Sequence, residues 1–352
     1  MEAYMKKRIS ALVLLLTISV TSLVACTLPK ETISDTTNTE KNALKDKKTL
    51  VPVTLNEVAH SIFYAPMYVA IEEGYFSENG IDLTLITGFG ADKTMTAVIS
   101  GNADIGFMGS EASIYTYNEG ANDYVINFAQ LTQRAGNFLI AREKMPDFKW
   151  ADLKTQKVLG GRKGGMPEMV FEYILKQNGM DPTKDLTIDQ SIDFGSTGAA
   201  FAEGNGDFTI EFEPSATTLE KENKGYVVAS LGTDSGYVPY TAFSAKKSYI
   251  EKNPDIIQKF TDALQKGMNY VQNHTPEEIA KIIEPQFKET DLKTIETIVS
   301  RYYKQDTWKD NLIFEEKSFE LLQDILESAD ELTDRAPYEN LVITKFAENA
   351  IK

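Results

Sequence analysis

The sequence predicts an α/β protein of two lobes with a cleft between them, and three observations predict it. The run 51–87 reads as strand, polar and aromatic loop, helix and second strand, which makes a parallel βαβ unit. One structural phrase occurs twice: GNADIGFMGSEAS from Gly101 and GNGDFTIEFEPSA from Gly204 each hold a Gly-Asn-small-Asp turn, a buried strand and a new helix start. Length is the third, since 352 residues exceed the ~150 that usually make one domain. The same grammar in two halves implies equivalent lobes, and equivalent lobes leave a cleft.

Taken in order, the first strand is 51–55. The helix after it sets Phe63, Met67, Ala70 and Ile71 at helical spacing, with Pro66 early in it and Gly74 at its C-terminal cap. In such a unit, free backbone N–H groups and the positive helix end meet beyond the strand's carboxyl end, so ligands collect there. Asn56, Glu57, His60, Ser61 and Tyr64 are expected to line that crevice. A helix over 92–100 turns Met95, Val98 and Ile99 inward and closes at Gly101. Strand 105–108 follows, then a helix opened by Gly109-Ser110-Glu111, with Ser110 as N-cap and Gly120 at its end. Residues 124–131 and 138–141 are strands, with Gln133 and Arg134 in the turn between them.

From Trp150 the pattern restarts with strand 157–160, a glycine-rich loop and a helix over 167–177 whose Val170, Phe171, Ile174 and Leu175 share a face. A helix near 197–202, strand 208–212 and a helix after Glu213-Pro214 complete this half. Residues 141–147 are expected to carry the chain out to the second lobe, and strand 237–245 to bring it back. Beyond Lys246 the chain is mostly helical. Ile256, Ile257, Phe260 and Leu264 form one packing stripe, and Phe319, Leu322, Leu326 and Ala329 another.

Composition removes several function classes. Net charge is −16, and the basic Lys6, Lys7 and Arg8 lie in a segment that reads as cleaved, so no cationic surface remains for nucleic acid. Apolar content of 42% supports substantial cores. Cys26 is the sole cysteine and His60 and His274 the two histidines, so a disulfide within the chain is impossible and a Cys/His zinc site is not expected. There is no D-x-[DN]-x-[DN]-G calcium loop, and neither metal nor cofactor is expected.

Residues 1–26 have a basic patch, an apolar run over 11–20 and then Leu23-Val24-Ala25-Cys26. The apolar run is too short to span a bilayer, so these parts in this order indicate a secretory signal, translated from Met1 or Met5. The LVAC tetrapeptide resembles the bacterial lipobox, which implies lipidation of Cys26 after cleavage. Several acyl chains hold firmly, each buried methylene adding ~0.8 kcal/mol. Residues 27–48 are polar and read as a flexible tether.

APMYVAIEEGYFSENGIDLTL, SGNADIGFMG, EGNGDFTIEFEPSATTLE, VPYTAFSA and APYENLV together resemble the substrate-binding lipoproteins of ABC importers in the nitrate, sulfonate, taurine and thiamine-pyrimidine-precursor group, the NMT1/THI5-like family. The resemblance runs from about Val51 to the end. It implies a type II periplasmic-binding-protein fold, with 49–143 and 240–352 as one lobe and 144–239 as the other, closing on a solute by hinge motion. It also implies a small-molecule solute, permease and ATPase partners, a monomer held outside the membrane on Cys26, and no catalysis. Family ligand contacts map onto 56–64, 88–91, Gly109 to Glu111, Gly164 to Met166 and the segment before Glu213-Pro214.

The candidate ligand-binding residues are therefore Asn56, His60, Tyr64, Phe89, Gly109, Ser110, Glu111, Gln133, Gly164, Gly165, Met166, Glu211, Glu213 and Tyr240. GGRKGG at 160–165 lacks the Lys-Ser/Thr of a nucleotide loop; it either binds an anion as an open helix N-terminus or only turns the chain. His60 either contacts ligand or is a solvated loop residue. Tyr64, Phe89 and Tyr240 suit a clamp on a planar ring. Glu57, Glu111, Glu211 and Glu213 all fall near cleft-facing strand ends and favour a neutral or cationic heterocycle, while Arg134 and Arg162 favour an anion if they point inward. An enzyme of pyrimidine synthesis shares this fold, but its cysteine-rich motif has no counterpart here. A receptor's sensing domain would be followed by an output module, which the sequence lacks before Lys352.

Overall fold

A computed structural model describes residues 49–193 and 195–352; the signal, Cys26 and the tether lie outside the described residues. β1 (Val51–Glu57) and β2 (Ile81–Thr87) run parallel, Val51 opposite Ile81. A 3-10 turn at Ile62–Tyr64, α1 (Ala65–Glu72) and a short turn of helix join them. Pro66 stands in the first turn of α1, where its missing N–H costs nothing, and Gly74 just past its end is left-handed at φ 73°. α2 (Ala91–Ser100), β3 (Ile105–Gly109), α3 (Glu111–Asn118) and β4 (Val125–Thr132) follow. Met95 and Val98 of α2 are buried as expected, but Ile99 is 43% exposed, because the helix offers the sheet only a narrow face.

The chain then builds β5 (Asn137–Ala141), β6 (Lys157–Leu159), α4 (Met166–Gln177), β7 (Thr187–Asp189), β8 (Phe208–Phe212), α5 (Ser215–Lys221) and β9 (Tyr226–Ser230). It returns through β10 (Thr241–Lys246). The first sheet has the order β2-β1-β3-β10-β4 and the second β7-β6-β8-β5-β9. The two orders are the same pattern: three parallel strands, then an antiparallel strand from the other end of the chain segment, then an edge strand.

One boundary is corrected. β5 pairs with β8 and β9, so the outward crossing falls at 133–136, and residues 137–143 do not belong with the first lobe. β5 is buried at every position, and a strand whose last four residues are all apolar reads alike in either sheet. β7 and β9 had no counterpart in the sequence reading.

The first sheet is backed by α6 (Pro254–Asn273), whose Phe260 meets the rings of Phe76, Phe128 and Phe243 at 5.0, 6.0 and 5.5 Å. Phe260 is wholly buried, so truncation to alanine removes about 3–5 kcal/mol. At Gly267 on the same helix a Cβ would stand 2.2 Å from the Pro66 carbonyl, so this close approach to α1 requires glycine. Phe319, Leu322 and Leu326 of α8 (Glu316–Ser328) are buried; both stripes read from the sequence pack inward. α7 (Leu292–Lys304) lies at the junction of the two halves, where the Tyr302 hydroxyl donates to the Gly136 carbonyl at 2.7 Å. Among the described residues no helix is long and apolar enough to cross a membrane.

Candidate ligand-binding site

A cavity of about 110 Å³ lies where the carboxyl ends of the parallel strands of both sheets face one another. The first half supplies Tyr64, the turn from Phe89 to Lys93 after β2, and Gly109 and Glu111 after β3. The second half supplies Arg162 and Gly165 to Pro167 after β6, Gln190 to Asp193 after β7, and Phe212 at the end of β8. Tyr240 and Thr241 enter where β10 begins. This is the crevice that parallel α/β sheets leave at their carboxyl ends.

Three helix starts reach it. α2, α3 and α4 begin at Gly90, Ser110 and Gly165, and none of them has a side-chain cap. The expected N-cap bond from Ser110 is absent: its backbone is already helical there, at φ −71° and ψ −14°, which turns the hydroxyl from the first-turn N–H groups.

Glu111 dominates the chemistry of the floor. It is 1% exposed, and its Oε2 finds no hydrogen-bond partner among the described residues. Burial raises its pKa to about 7, against the pull of its own N–H, Arg162 and the Met166 N–H across the cleft. A Cβ at Gly109 would stand 2.1 Å from Oε2, so only glycine lets the carboxyl fold back against the strand end.

The walls are aromatic. Tyr64 and Tyr240 are buried and Phe89 is 55% exposed at φ 57°, a left-handed turn that presents its ring toward Gly195 of the opposite half. Arg162 and Asp92 face one another across the cleft at 3.7 Å, both well exposed, so their pairing is worth little.

Of the residues expected from the sequence, Tyr64, Phe89, Gly109, Glu111, Gly165, Met166 and Tyr240 line this cavity. The others are corrected by what they touch. Asn56 accepts from Thr94 Oγ1 at 2.8 Å, behind the turn that begins α2. His60 points away: Nδ1 meets Glu57 Oε1 at 2.8 Å, Nε2 meets the Gln286 carbonyl at 2.8 Å, and the ring lies 4.7 Å from Phe287. Burial lowers its pKa, but Glu57 and the Gln286 carbonyl outweigh this and raise it overall. Glu57 itself is consumed by His60, Thr87 and the Tyr68 hydroxyl.

Ser110 is buried beside the cavity without lining it, and Gln133 donates to the Asp306 and Trp308 carbonyls at the crossing. The Gly164 carbonyl accepts from the Tyr115 hydroxyl at 3.0 Å, a contact between the halves. Glu211 is satisfied by the hydroxyls of Thr209 and Ser215 at 2.7 and 2.9 Å. Glu213 is wholly buried, paired with Arg301 at 2.6 Å and bonded by both the N–H and hydroxyl of Thr217. Arg134 is spent on the Gly232 carbonyl and the face of Tyr237, leaving Arg162 as the inward arginine.

Gln190, Ile192 and Asp193 were missed because β7 has three residues and no apolar alternation to announce it. The equivalence of the halves was a usable signal, since β7 occupies the place of β2, whose following turn holds Phe89.

A family model described as "NMT1/THI5 like" matches residues 62–279. "Putative binding protein YtlA" of Bacillus subtilis (strain 168) is 48% identical over 306 residues, 87% of this chain and 92% of that protein. "Riboflavin-binding protein RibY" of Chloroflexus aurantiacus is 25% identical over 267 residues, 75% of this chain and 74% of that protein. Among solved structures, the alkanesulfonate-binding protein SsuA from Xanthomonas axonopodis pv. citri, bound to MOPS, superposes with a TM-score of 0.69. That match is 14% identical and covers 83% of this chain and 98% of the other. This likeness shows the fold, a type II periplasmic-binding-protein architecture.

Proposed function

This chain belongs to the NMT1/THI5-like family, and on that premise we propose that it is the extracytoplasmic solute-binding component of an ABC importer. It captures a small aromatic or heterocyclic nutrient, such as a thiamine pyrimidine precursor, by closure of the two halves, and delivers it to a permease and its ATPase. The observation that carries this reading is the cavity between the two sheets, walled by Tyr64, Phe89, Phe212 and Tyr240. At about 110 Å³ it approaches the ~150 Å³ cavity known to take up benzene, which suits a single ring. The relative named for riboflavin, a heteroaromatic solute, supports the same class.

The protein acts as a monomer, held to the outer face of the membrane through Cys26, and it does not transform its solute. Its lobes are residues 49 to about 135 with 241–352, and about 136 to 240. Ligand should raise the melting temperature by mass action and reduce the radius of gyration in solution scattering. Native mass spectrometry of protein from its own host should reveal a co-purified ring compound. A compound bound tightly without compaction, or consumed on incubation, sinks the proposal.

A second reading, an aliphatic sulfonate, taurine or nitrate, is favoured by one observation: Arg162 and three helix starts, none capped by its own N-cap side chain, reach the cavity. Stabilisation by those anions and by no ring compound would establish it.

A further inference from the structure

We infer that the Glu111 carboxyl selects the solute: it accepts an N–H from a neutral or cationic nitrogen-bearing ring and turns anions away. This rests on the solute-binding reading and names the class of solute within it. The geometry has three parts. Glu111 lines the cavity while almost wholly buried, and Oε2 has no protein donor among the described residues. A buried acceptor without a donor is costly, and a solute N–H placed there relieves that cost.

The second part is where the carboxyl sits. It folds back against Gly109 at the start of α3, where its own N–H and the Met166 N–H at the start of α4 favour its charged form. Those are the donors that hold a sulfonate or nitrate at a helix N-terminus. Here the chain supplies its own carboxylate to them, so an arriving anion meets like charge and finds the donors taken.

The third part is the surroundings. Arg162 comes from the loop before α4 and lies 3.7 Å from Asp92, and the hydroxyls of Tyr64, Tyr115 and Tyr240 are held un-ionised by burial and by the Glu111 charge. Lys93 and Asp193 complete the charged groups around the cavity. With burial placing the Glu111 pKa at about 7, the carboxyl changes charge near neutrality, and its acceptor strength changes with it.

The test titrates the mature protein and E111Q by calorimetry with 2-aminopyrimidine, 2-methylpyrimidine, methanesulfonate and nitrate. The first two differ only in the N–H group. The wild type should prefer 2-aminopyrimidine roughly tenfold or more, as a hydrogen bond to a charged acceptor warrants, and E111Q should reduce that preference to about twofold. The neutral amine should also bind the wild type roughly tenfold tighter at about pH 8 than at about pH 6. That measurement stands alone if E111Q fails to show a native melting transition.

Equal binding of the two pyrimidines, an undiminished preference in folded E111Q, a flat pH profile, or displacement of the amine by methanesulfonate or nitrate would overturn the selectivity and leave solute binding intact. If no probe binds and no solute co-purifies, the solute-binding reading falls, and this inference with it.

Discussion

Replacing Arg301 with methionine should destabilise the body by about 2–3 kcal/mol at pH 7.5. The Glu213 side chain is 0% exposed; it receives Arg301 Nη1 at 2.6 Å, the Thr217 N–H at 2.8 Å and the Thr217 hydroxyl at 2.9 Å. Removing one partner of a fully buried ion pair costs about 3–5 kcal/mol. Two features reduce that here: the carboxylate keeps both Thr217 bonds, and Arg301 is 31% exposed, so solvent already screens its charge. The second partner, Glu220 at 2.8 Å, is itself 27% exposed and adds less than about 1 kcal/mol. Urea unfolding, followed by far-UV dichroism and tryptophan fluorescence to check two-state behaviour, measures the loss. R301M combined with E213Q should regain about half, because the uncompensated charge is then gone. Burial raises the Glu213 pKa, so the cost of R301M should shrink as the pH falls and the carboxyl takes up a proton. A loss below about 0.5 kcal/mol, or the same loss with and without E213Q, refutes the reasoning.

Burial raises the carboxyls of Glu111 and Glu168 to about 7 and about 8, the second assisted by neighbouring Glu172, so the folded body holds two protons that the unfolded chain releases above about pH 4.5. The native state then binds more protons than the unfolded one. Ligand-free stability should therefore fall as pH rises from about 5 to 8, at up to about 1.4 kcal/mol per unit for each group, and E168Q should flatten the upper part of a urea-midpoint profile. Tyr115→Phe with Glu331→Gln removes two contacts between the halves, Tyr115 to Gly164 at 3.0 Å and Lys163 to Glu331 at 3.3 Å. The ligand-free particle should open, by roughly fivefold in the open-to-closed ratio, and expand in solution scattering; an unchanged radius of gyration would deny these contacts that role. Cys26→Ser should move the protein from the membrane fraction to the soluble one, and its retention in membranes would end the lipid-anchor reading.

The scaffold was legible where one residue type performs one local task. Pro66 opening α1, Gly101 closing α2 and the paired Gly-Asn-small-Asp turns each have a single conformational use, so strands β1, β3 and β8 and their helices could be placed from letters alone. The crossing was not, since the strand Asn137–Ala141 is buried on both faces and nothing in its pattern says which sheet covers it. The acidic residues divided for a related reason. Glu211 and Glu213 stand at a cleft-facing strand end, but each has a hydroxyl residue four positions later, Ser215 and Thr217, that turns it into a structural acceptor. Glu111 also has a hydroxyl residue four positions later, but Tyr115 donates across the cleft to the Gly164 carbonyl at 3.0 Å, and Gly109 leaves the carboxyl room; the contrast depends on that contact between the halves, which no local pattern announces. Of the two partners that hold His60, Glu57 is three residues away, but the Gln286 carbonyl that fixes the other ring nitrogen is 226 residues away, beyond any local pattern.

The interleaving of β5 and β10 sets an order of assembly during synthesis. Every strand of the second sheet lies within 137–230, so that sheet can be completed from one contiguous stretch. β4, by contrast, joins the first sheet only through β10, and its further bridges reach Trp308 and Val342, later still. The lobe whose chain emerges first is thus finished last, and residues 125–132 must wait more than a hundred residues for their ladder partner. Pulsed hydrogen exchange during refolding should find amides of 137–230 protected before those of β4 and β10. A polypeptide built this way keeps its N-terminal sheet unclosed until its middle has been made.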